Sequence, residues 1–172
     1  GRITGWQHAI VAKSILAGTP FEGMMVKDGV DATTVEGVAE TPYQLENFAV
    51  DVHNAKTEVP VLWWRSVGHS HTAHVMETTM DELAHKAGQD PLAFRLSYLK
   101  EGSREAGVLK LAAEKAEWGK KMPAGSAQGI AMHHSFGSYV GMVAEVSTTG
   151  DGFKVNRIVA AVDVGVAINP DV

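Results

Sequence analysis

The sequence has no cysteine, no long apolar run and no cluster of basic residues. Without cysteine, these residues form no disulfide, ligate no iron–sulfur cluster and supply no catalytic thiol. No stretch approaches the roughly eighteen consecutive apolar residues of a membrane-spanning helix, so we expect no membrane span. The net charge of −5, with no basic patch to oppose it, argues against nucleic acid as a partner.

The composition is that of an ordinary globular protein. The chain has 172 residues, of which 45% are hydrophobic and 20% are charged, which is enough for one domain with a real core. It begins with Gly-Arg, shows no signal-like segment, and ends soon after a strand pattern. We therefore expect a fragment of a longer protein, with incomplete chemistry.

Hydrophobic periodicity predicts an α+β fold, in which helices pack on a mostly antiparallel sheet. We expect one domain fragment with three parts, residues 1–59, 60–119 and 120–172. In the first part, the sequence pattern predicts a strand that enters a helical turn at 11–16, an irregular connection at 21–46 and a strand at 47–53. The predicted helices cover residues 70–86, 91–101 and 104–118. The predicted later strands cover residues 129–136, 139–148 and 153–164.

The most informative stretch is residues 60–84, where an apolar run changes abruptly into a polar turn and then a helix. Trp63 and Trp64 are costly to expose together, so we expect at least one to be buried with its indole N–H bonded. Because Arg65 directly follows a run that we expect to be buried, we predict that an internal carboxylate or an anionic ligand binds its guanidinium. The N-terminus of the following helix favours an anion too. On the pattern alone, however, a purely structural strand-to-helix connection is the favoured interpretation.

Other polar residues are explained more simply without chemistry. His69, His71 and His74 are closely spaced, but they match no zinc signature and no cysteine or carboxylate cluster completes a site. We interpret them as surface or hydrogen-bonded residues. Glu77 and Asp81 lie one helical turn apart, as an acid–base pair does, but we expect solvated residues, or carboxylates that the dipole favours in the N-terminal half of the helix. The serines lie in no nucleophile motif, although a hydrolase built on serine and histidine stays open as an alternative.

Residues 62–73 read LWWRSVGHSHTA, and they are followed by Glu77 and by MDELA at 80–84. This pattern resembles the large molybdenum subunits of the xanthine oxidase family, in particular those of isoquinoline 1-oxidoreductase and of related bacterial aldehyde and nicotinate dehydrogenases. The resemblance continues in the same order over almost the whole chain. Its further segments are residues 26–31, 88–91, 131–145 and 161–171. A long ordered match is specific, whereas any single segment is not.

The resemblance implies a molybdenum–pterin dinucleotide as the cofactor of the full-length protein. It implies that the cofactor-binding residues are Trp64, Arg65, Ser66 and Gly68. The backbone N–H groups of this loop would stabilise oxygen bound to the metal, as the donors of an oxyanion hole do. Gly68 would let the main chain approach closely, because it has no side chain.

The resemblance also implies a substrate pocket that contains Val67, His69 and His71. Family members that oxidise xanthine have an aromatic residue where Val67 stands. The resemblance therefore argues against a purine and favours an aldehyde or an N-heterocycle, with water as the oxygen source. Electrons would leave through a small iron–sulfur subunit, since this chain has no cysteine to hold a cluster.

The family's catalytic base, a glutamate in a glycine-rich turn, has no counterpart here, because Glu145 lies in a strand pattern. We therefore expect no catalytic residue and no metal ligand in this chain, and neither bound cofactor nor turnover from it in isolation. The rival hypothesis is a non-catalytic structural or partner-binding domain that uses Trp63 and Trp64 as an interface. The compartment stays open between the bacterial cytoplasm and periplasm.

Overall fold

The computed structural model describes residues 1–170 and divides the chain into two compact units, Gly1–Gly88 and Gln89–Val172. Their boundary lies inside residues 60–119, which we predicted to form one part of the fragment. The three-part division stays a prediction. Asp171, at the end of the C-terminal resemblance, lies outside the described residues.

The first unit combines short helices, two small sheets and one long helix. Its elements in chain order are β1 (Trp6–Ala12), α1 (Glu22–Met25), β2 (Val26–Lys27), β3 (Val30–Asp31), α2 (Ala32–Val35), β4 (Phe48–Asn54) and α3 (His69–Ala87). Strands β1 and β4 pair in parallel, whereas β2 and β3 pair antiparallel. The strand predicted at 47–53 is confirmed as β4, and the segment predicted to be irregular contains short elements of its own.

Strand β1 shows why the helical turn predicted at residues 11–16 is wrong. Alternate side chains from Trp6 to Ile10 are buried, which is the period of a strand. Parallel pairing with β4 continues as far as Ala12, so the backbone there is extended. The chain turns only at Ser14, whose Oγ accepts the backbone N–H groups that follow it.

Helix α3 (His69–Ala87) confirms the predicted helix and its end at Gly88, which adopts the left-handed conformation with a φ of 65°. Met80 on its buried face is fully inaccessible to solvent. Glu77 is also buried, with 7% exposure, so the expectation of a solvated carboxylate is wrong. The reason is a tertiary partner, because the phenolic O–H of Tyr43 donates to Glu77 Oε1 at 2.6 Å.

The apolar run before α3 is exposed, which contradicts the expectation that it buries a tryptophan. Trp63 is 49% exposed and Trp64 is 80% exposed. Residues 59–64 form no strand. Pro60 lacks the N–H that a sheet partner needs, and within the described chain no strand pairs with this run. Because no strand pairs with it, this apolar run stays on the surface of the unit.

The second unit is a three-stranded antiparallel sheet with a helix packed against it. Its elements are α4 (Pro91–Tyr98), α5 (Arg104–Ala116), β5 (Ser126–Ser135), β6 (Ser138–Thr149) and β7 (Gly152–Asp163), with β6 in the centre of the sheet. A Cβ at Gly141 would be 2.5 Å from the Val108 carbonyl oxygen, so α5 lies close to the sheet. The core includes Leu109, Ala112, Ala116, Ile130, Met132 and Val143.

The starts of the helices in this unit follow the sequence, but their ends do not. The side chains of Asp90 and Ser103 cap α4 and α5 as predicted, by accepting backbone N–H groups of the first turn. Helix α4 ends at Tyr98, before residue 101, because Leu99 is extended. Helix α5 ends before the predicted residue 118, because Glu117 adopts a left-handed φ of 54°.

The predicted α+β class is confirmed, and antiparallel pairing predominates among the strands. The parallel pair β1–β4 is the exception. Among the residues described, no helix is both long and apolar enough to cross a lipid bilayer.

Candidate cofactor-side cleft

The cofactor-side loop, defined as residues 64–68, forms one wall of a cleft of about 360 Å³ in the first unit. The other lining residues come from the end of β1 and the residues just after it, from α2, from the apolar run before the loop and from the first turn of α3. The lining includes Lys13, Thr33, Trp63, Trp64, Val67 and His71. A volume of this size lies within the range of small-molecule sites, which is about 300–1,000 Å³.

Four of the residues implied by the family resemblance line this cleft, namely Trp64, Val67, Gly68 and His71. They come from the loop and from the first turn of α3, which the loop enters directly. Because Trp64 is largely exposed, its indole face is open to a ligand in the cleft. The structure therefore brings together four of the seven predicted site residues in a single concave surface.

Arg65, Ser66 and His69 do not line the cleft. Arg65 is exposed, and no carboxylate in the described part of the chain forms an ion pair with it, so the expected internal partner is not found there. Ser66 Oγ lies 2.6 Å from Ser70 Oγ. His69 is buried, with its Nε2 4.0 Å from Glu36 Oε2.

The backbone of the loop is strained at Val67. Its φ of 46° lies in the left-handed region, which a β-branched residue rarely adopts. The Val67 N–H donates to the Trp64 carbonyl at 3.1 Å, and Ser70 Oγ donates to the Val67 carbonyl at 2.7 Å. Strain of this kind costs about 1–3 kcal/mol and persists only where the surroundings hold it, most often at functional sites.

The backbone N–H groups around the start of α3 are largely used within the chain. Those of Ser70 and His71 donate to the carbonyls of Val67 and Gly68, both at 3.3 Å, and the Gly68 N–H donates to Glu36. These bonds are slightly longer than the usual N–H···O distance. The helix still turns its positive end towards the cleft, and the oxyanion-hole arrangement of these groups stays a prediction.

Asp31, which sequence reasoning missed, organises another wall of the cleft. It is fully buried, and its carboxylate accepts the Thr33 N–H at 2.9 Å, which caps α2. The same carboxylate accepts from Ser14 Oγ and from the Leu16 N–H, just after β1. Burial alone would raise the pKa of Asp31, but the hydrogen bonds from Ser14, Thr33 and Leu16 outweigh it and lower the pKa. Aspartate just before a short helix is an N-cap signal that could have identified it.

Lys13 and His8 were also missed. Lys13 Nζ donates to the carbonyls of Thr57 and Val59, both at 2.8 Å, so it ties the edge of the cleft to the segment before the tryptophans. The pKa of His8 is lowered, first by burial and then by the charge of His71. A single lysine after a strand and a single histidine within one match no motif, so only the tertiary structure identifies them.

The family model for the molybdopterin cofactor-binding domain matches residues 1–99, which is more than half of the chain. The chain therefore belongs to the molybdopterin cofactor-binding domain family. It is 29% identical over 176 residues to the beta subunit of isoquinoline 1-oxidoreductase from Brevundimonas diminuta, across 99% of this chain and 22% of that relative. It is 29% identical over 150 residues to a subunit of nicotinate dehydrogenase from Pseudomonas putida, across 76% of this chain and 12% of that relative.

These similarities confirm the family resemblance that the sequence predicted. The chain spans 22% and 12% of the lengths of the two relatives, so it corresponds to a small part of each. All residues that line the cleft lie within the matched residues 1–99. The cleft is therefore a feature of the matched domain, while the roles of its individual residues stay predictions.

Proposed function

We propose that this chain forms one wall of the cofactor site in a molybdenum hydroxylase, an oxidoreductase that takes the oxygen of its product from water. The observation that carries the proposal is the cleft beside residues 64–68. It lies within the matched molybdopterin-binding domain, and Trp64, Val67 and His71 line it. The names of the two relatives, an oxidoreductase and a dehydrogenase, support the same class of reaction.

The cleft residues fit a flat group with a polar edge, as molybdopterin is. Trp63 and Trp64 are exposed aromatic residues for a ring system. Ser70 and His71 offer polar atoms at its edge. Arg65 does not line the cleft, but its guanidinium is exposed and suits an anionic substituent of the cofactor. Within the described residues, no group of three or more His, Cys, Asp or Glu side chains could hold a metal ion. The family resemblance implies that the pterin would hold the metal, and this cofactor would supply two-electron oxidation of carbon when bound.

In this proposal, the residues of the chain bind the cofactor and shape the substrate side of the cleft. The cofactor-binding residues are Trp64, Arg65, Ser66 and Gly68. Val67 and His71 face the substrate, an aldehyde or an electron-poor N-heterocycle, because an aliphatic Val67 offers no ring on which a purine would stack. His69 is buried outside the lining. Its proposed part is therefore to support the loop from beneath.

The remaining functions of the enzyme are assigned to other parts of the parent protein. Glu145 Oε1 lies 2.7 Å from Lys120 Nζ, whose hydrogen bond lowers the pKa of this carboxyl. A carboxylate held in this way is a weak proton acceptor and a poor general base. We assign the electron-accepting iron–sulfur clusters to a small partner subunit, and we expect the isolated chain to bind no molybdenum and to show no turnover.

The test is Arg65→Ala in the parent enzyme, with Arg2→Ala as the control, because both are exposed arginines of the first unit. We expect Arg65→Ala to lower turnover or molybdenum content at least about tenfold, because it removes one charge-assisted contact. Such a contact contributes about 1.5–3 kcal/mol. Circular dichroism should show an unchanged fold. Unchanged turnover and molybdenum content would reject the proposed role. Stoichiometric molybdenum on the isolated chain would overturn the prediction that it binds none.

A second candidate function is favoured by the exposure of Leu62, Trp63 and Trp64. Adjacent exposed apolar and aromatic residues are typical of surfaces that a protein partner covers. The domain would then be structural or partner-binding. In that case Arg65→Ala leaves activity intact, whereas Trp64→Ala weakens assembly of the parent enzyme in size-exclusion chromatography without changing the turnover of the assembled form.

A further inference from the structure

Helix α3 begins without a cap from its own segment. Its N-cap residue is Gly68, which has no side chain, and its first turn contains no acidic residue. The N–H groups at a helix start need acceptors, and a carboxylate near them is favoured by the helix dipole. Here the carboxylate comes from Glu36, which directly follows α2 in the sequence.

Glu36 contacts the start of α3 at two points. Its Oε2 accepts the Gly68 N–H at 3.3 Å, and its backbone carbonyl accepts the Thr72 Oγ1 hydroxyl at 2.6 Å. Oε2 also lies 4.0 Å from Nε2 of the buried His69. Because Gly68 and Thr72 are about one helical turn apart, the two bonds fix both the position and the direction of the helix start.

The packing around Gly68 makes this contact specific. A Cβ on Gly68 would be 2.1 Å from the Thr33 carbonyl oxygen and 3.1 Å from Glu36 Cβ, so two backbones meet here without a side chain between them. Val67, with its left-handed φ, precedes this point directly. A strained residue keeps its conformation only where neighbouring contacts over-determine it. Glu36 constrains the chain on one side of Val67.

We propose that Glu36 is a positioning residue that holds the cofactor-side loop in its strained shape by presenting a carboxylate oxygen to the Gly68 N–H. Glu36 is absent from the lining of the cleft and acts through Gly68 and Val67. The hydrogen-bonded arrangement is a property of this chain, whereas its effect on cofactor binding rests on the proposed function. Each of the two therefore needs its own experiment.

The first experiment measures hydrogen exchange at residues 65–72 of the chain with Glu36→Ala, Glu36→Asp or Glu36→Gln. Alanine removes the acceptor, and aspartate keeps the charge but is one methylene too short. Glutamine keeps an oxygen acceptor at the same reach. We expect about fivefold faster exchange for Ala and Asp, which corresponds to one hydrogen bond of about 1 kcal/mol, and the original rate for Gln. Glu82→Ala, which removes an exposed carboxylate on α3, is the control.

Unchanged exchange in Glu36→Ala, or equal acceleration in Glu36→Gln, would overturn the proposal. If circular dichroism shows that Glu36→Ala is unfolded, the hydrogen-exchange rates of Glu36→Asp and Glu36→Gln are compared instead, and equal rates would overturn the proposal. The second experiment measures molybdenum content and turnover of the parent enzyme, where we expect Glu36→Ala to lower both and Glu36→Gln to restore both. Faster exchange in the chain with unchanged molybdenum content and turnover would leave the positioning role intact and reject the proposed function of the loop.

Discussion

Gly68→Ala adds one methyl group at the point where α3 begins. Gly68 has a φ of −64° and a ψ of −30°, which any residue adopts. In a helix, alanine is more favourable than glycine by about 1 kcal/mol, so backbone preference predicts no serious loss. Packing predicts the opposite result. The new Cβ would be 2.1 Å from the Thr33 carbonyl oxygen, whereas ordinary van der Waals contact begins at 3.4 Å.

Relief of this overlap requires α2 and the start of α3 to separate by roughly 1.3 Å, because the opposing atom belongs to the backbone and cannot rotate away. Such a separation breaks the hydrogen bonds from Gly68 and Thr72 to Glu36. Each contributes about 1 kcal/mol. Together with residual overpacking, we expect the free energy of unfolding to fall by about 2–3 kcal/mol.

Urea unfolding followed by circular dichroism measures this loss, and Gly23→Ala is the matched control. Gly23 lies in α1, and no atom lies within 4 Å of the position that its Cβ would take. We therefore expect the control to change stability by at most about 1 kcal/mol, in the stabilising direction. Equal stability of Gly68→Ala and the unsubstituted chain would refute the close approach of the two backbones.

Val67→Gly relieves the left-handed strain, and we expect urea unfolding to show a gain of about 1 kcal/mol. A loss would mean that packing of the valine side chain outweighs its backbone strain. Tyr43→Phe removes the O–H that bonds to buried Glu77, and we expect a loss of about 1–3 kcal/mol in the same assay. No measurable loss would contradict the importance of this bond. The hydrogen bond from Arg104 lowers the pKa of Asp163 from 3.8 to about 2. This carboxylate therefore stabilises the fold above pH 3.8, and the stabilisation disappears as the pH falls towards 2. In Asp163→Asn, the stability measured as the pH is lowered should no longer fall between pH 3.8 and about 2 on account of this carboxylate. The same pH dependence in the variant and the unsubstituted chain would refute the contribution of Asp163.

Helices α3, α4 and α5 were predictable because their signals are local, whereas the short helices α1 and α2 were not predicted. Asp90 and Ser103 cap N–H groups three residues ahead, and Gly88 ends α3 within the last turn. None of these contacts depends on a distant segment. The ends of α4 and α5 were less accurate because extended or left-handed residues end these helices without a strong sequence signal, as Glu117 does.

Features that need a distant partner could not be predicted in this way. The burial of Glu77 follows from the phenolic O–H of Tyr43, which is 34 residues away. The length of β1 follows from parallel pairing with β4. The exposure of Trp63 and Trp64 likewise follows from how the surrounding chain folds, because no periodicity distinguishes a covered apolar run from an uncovered one.

For the site, the residue order was enough to define the family and the loop of residues 64–68, because both depend on an ordered series of residue types. Apolar periodicity also predicted a helix from residue 70, one residue after the observed start of α3 at His69. The folded chain was needed to show that Trp64, Val67 and His71 line one cleft while His69 is buried and does not line it. It was needed as well to identify Glu36, which contacts the start of α3 beside the loop. The physical reason is that these contacts join segments some thirty residues apart, which no local pattern encodes.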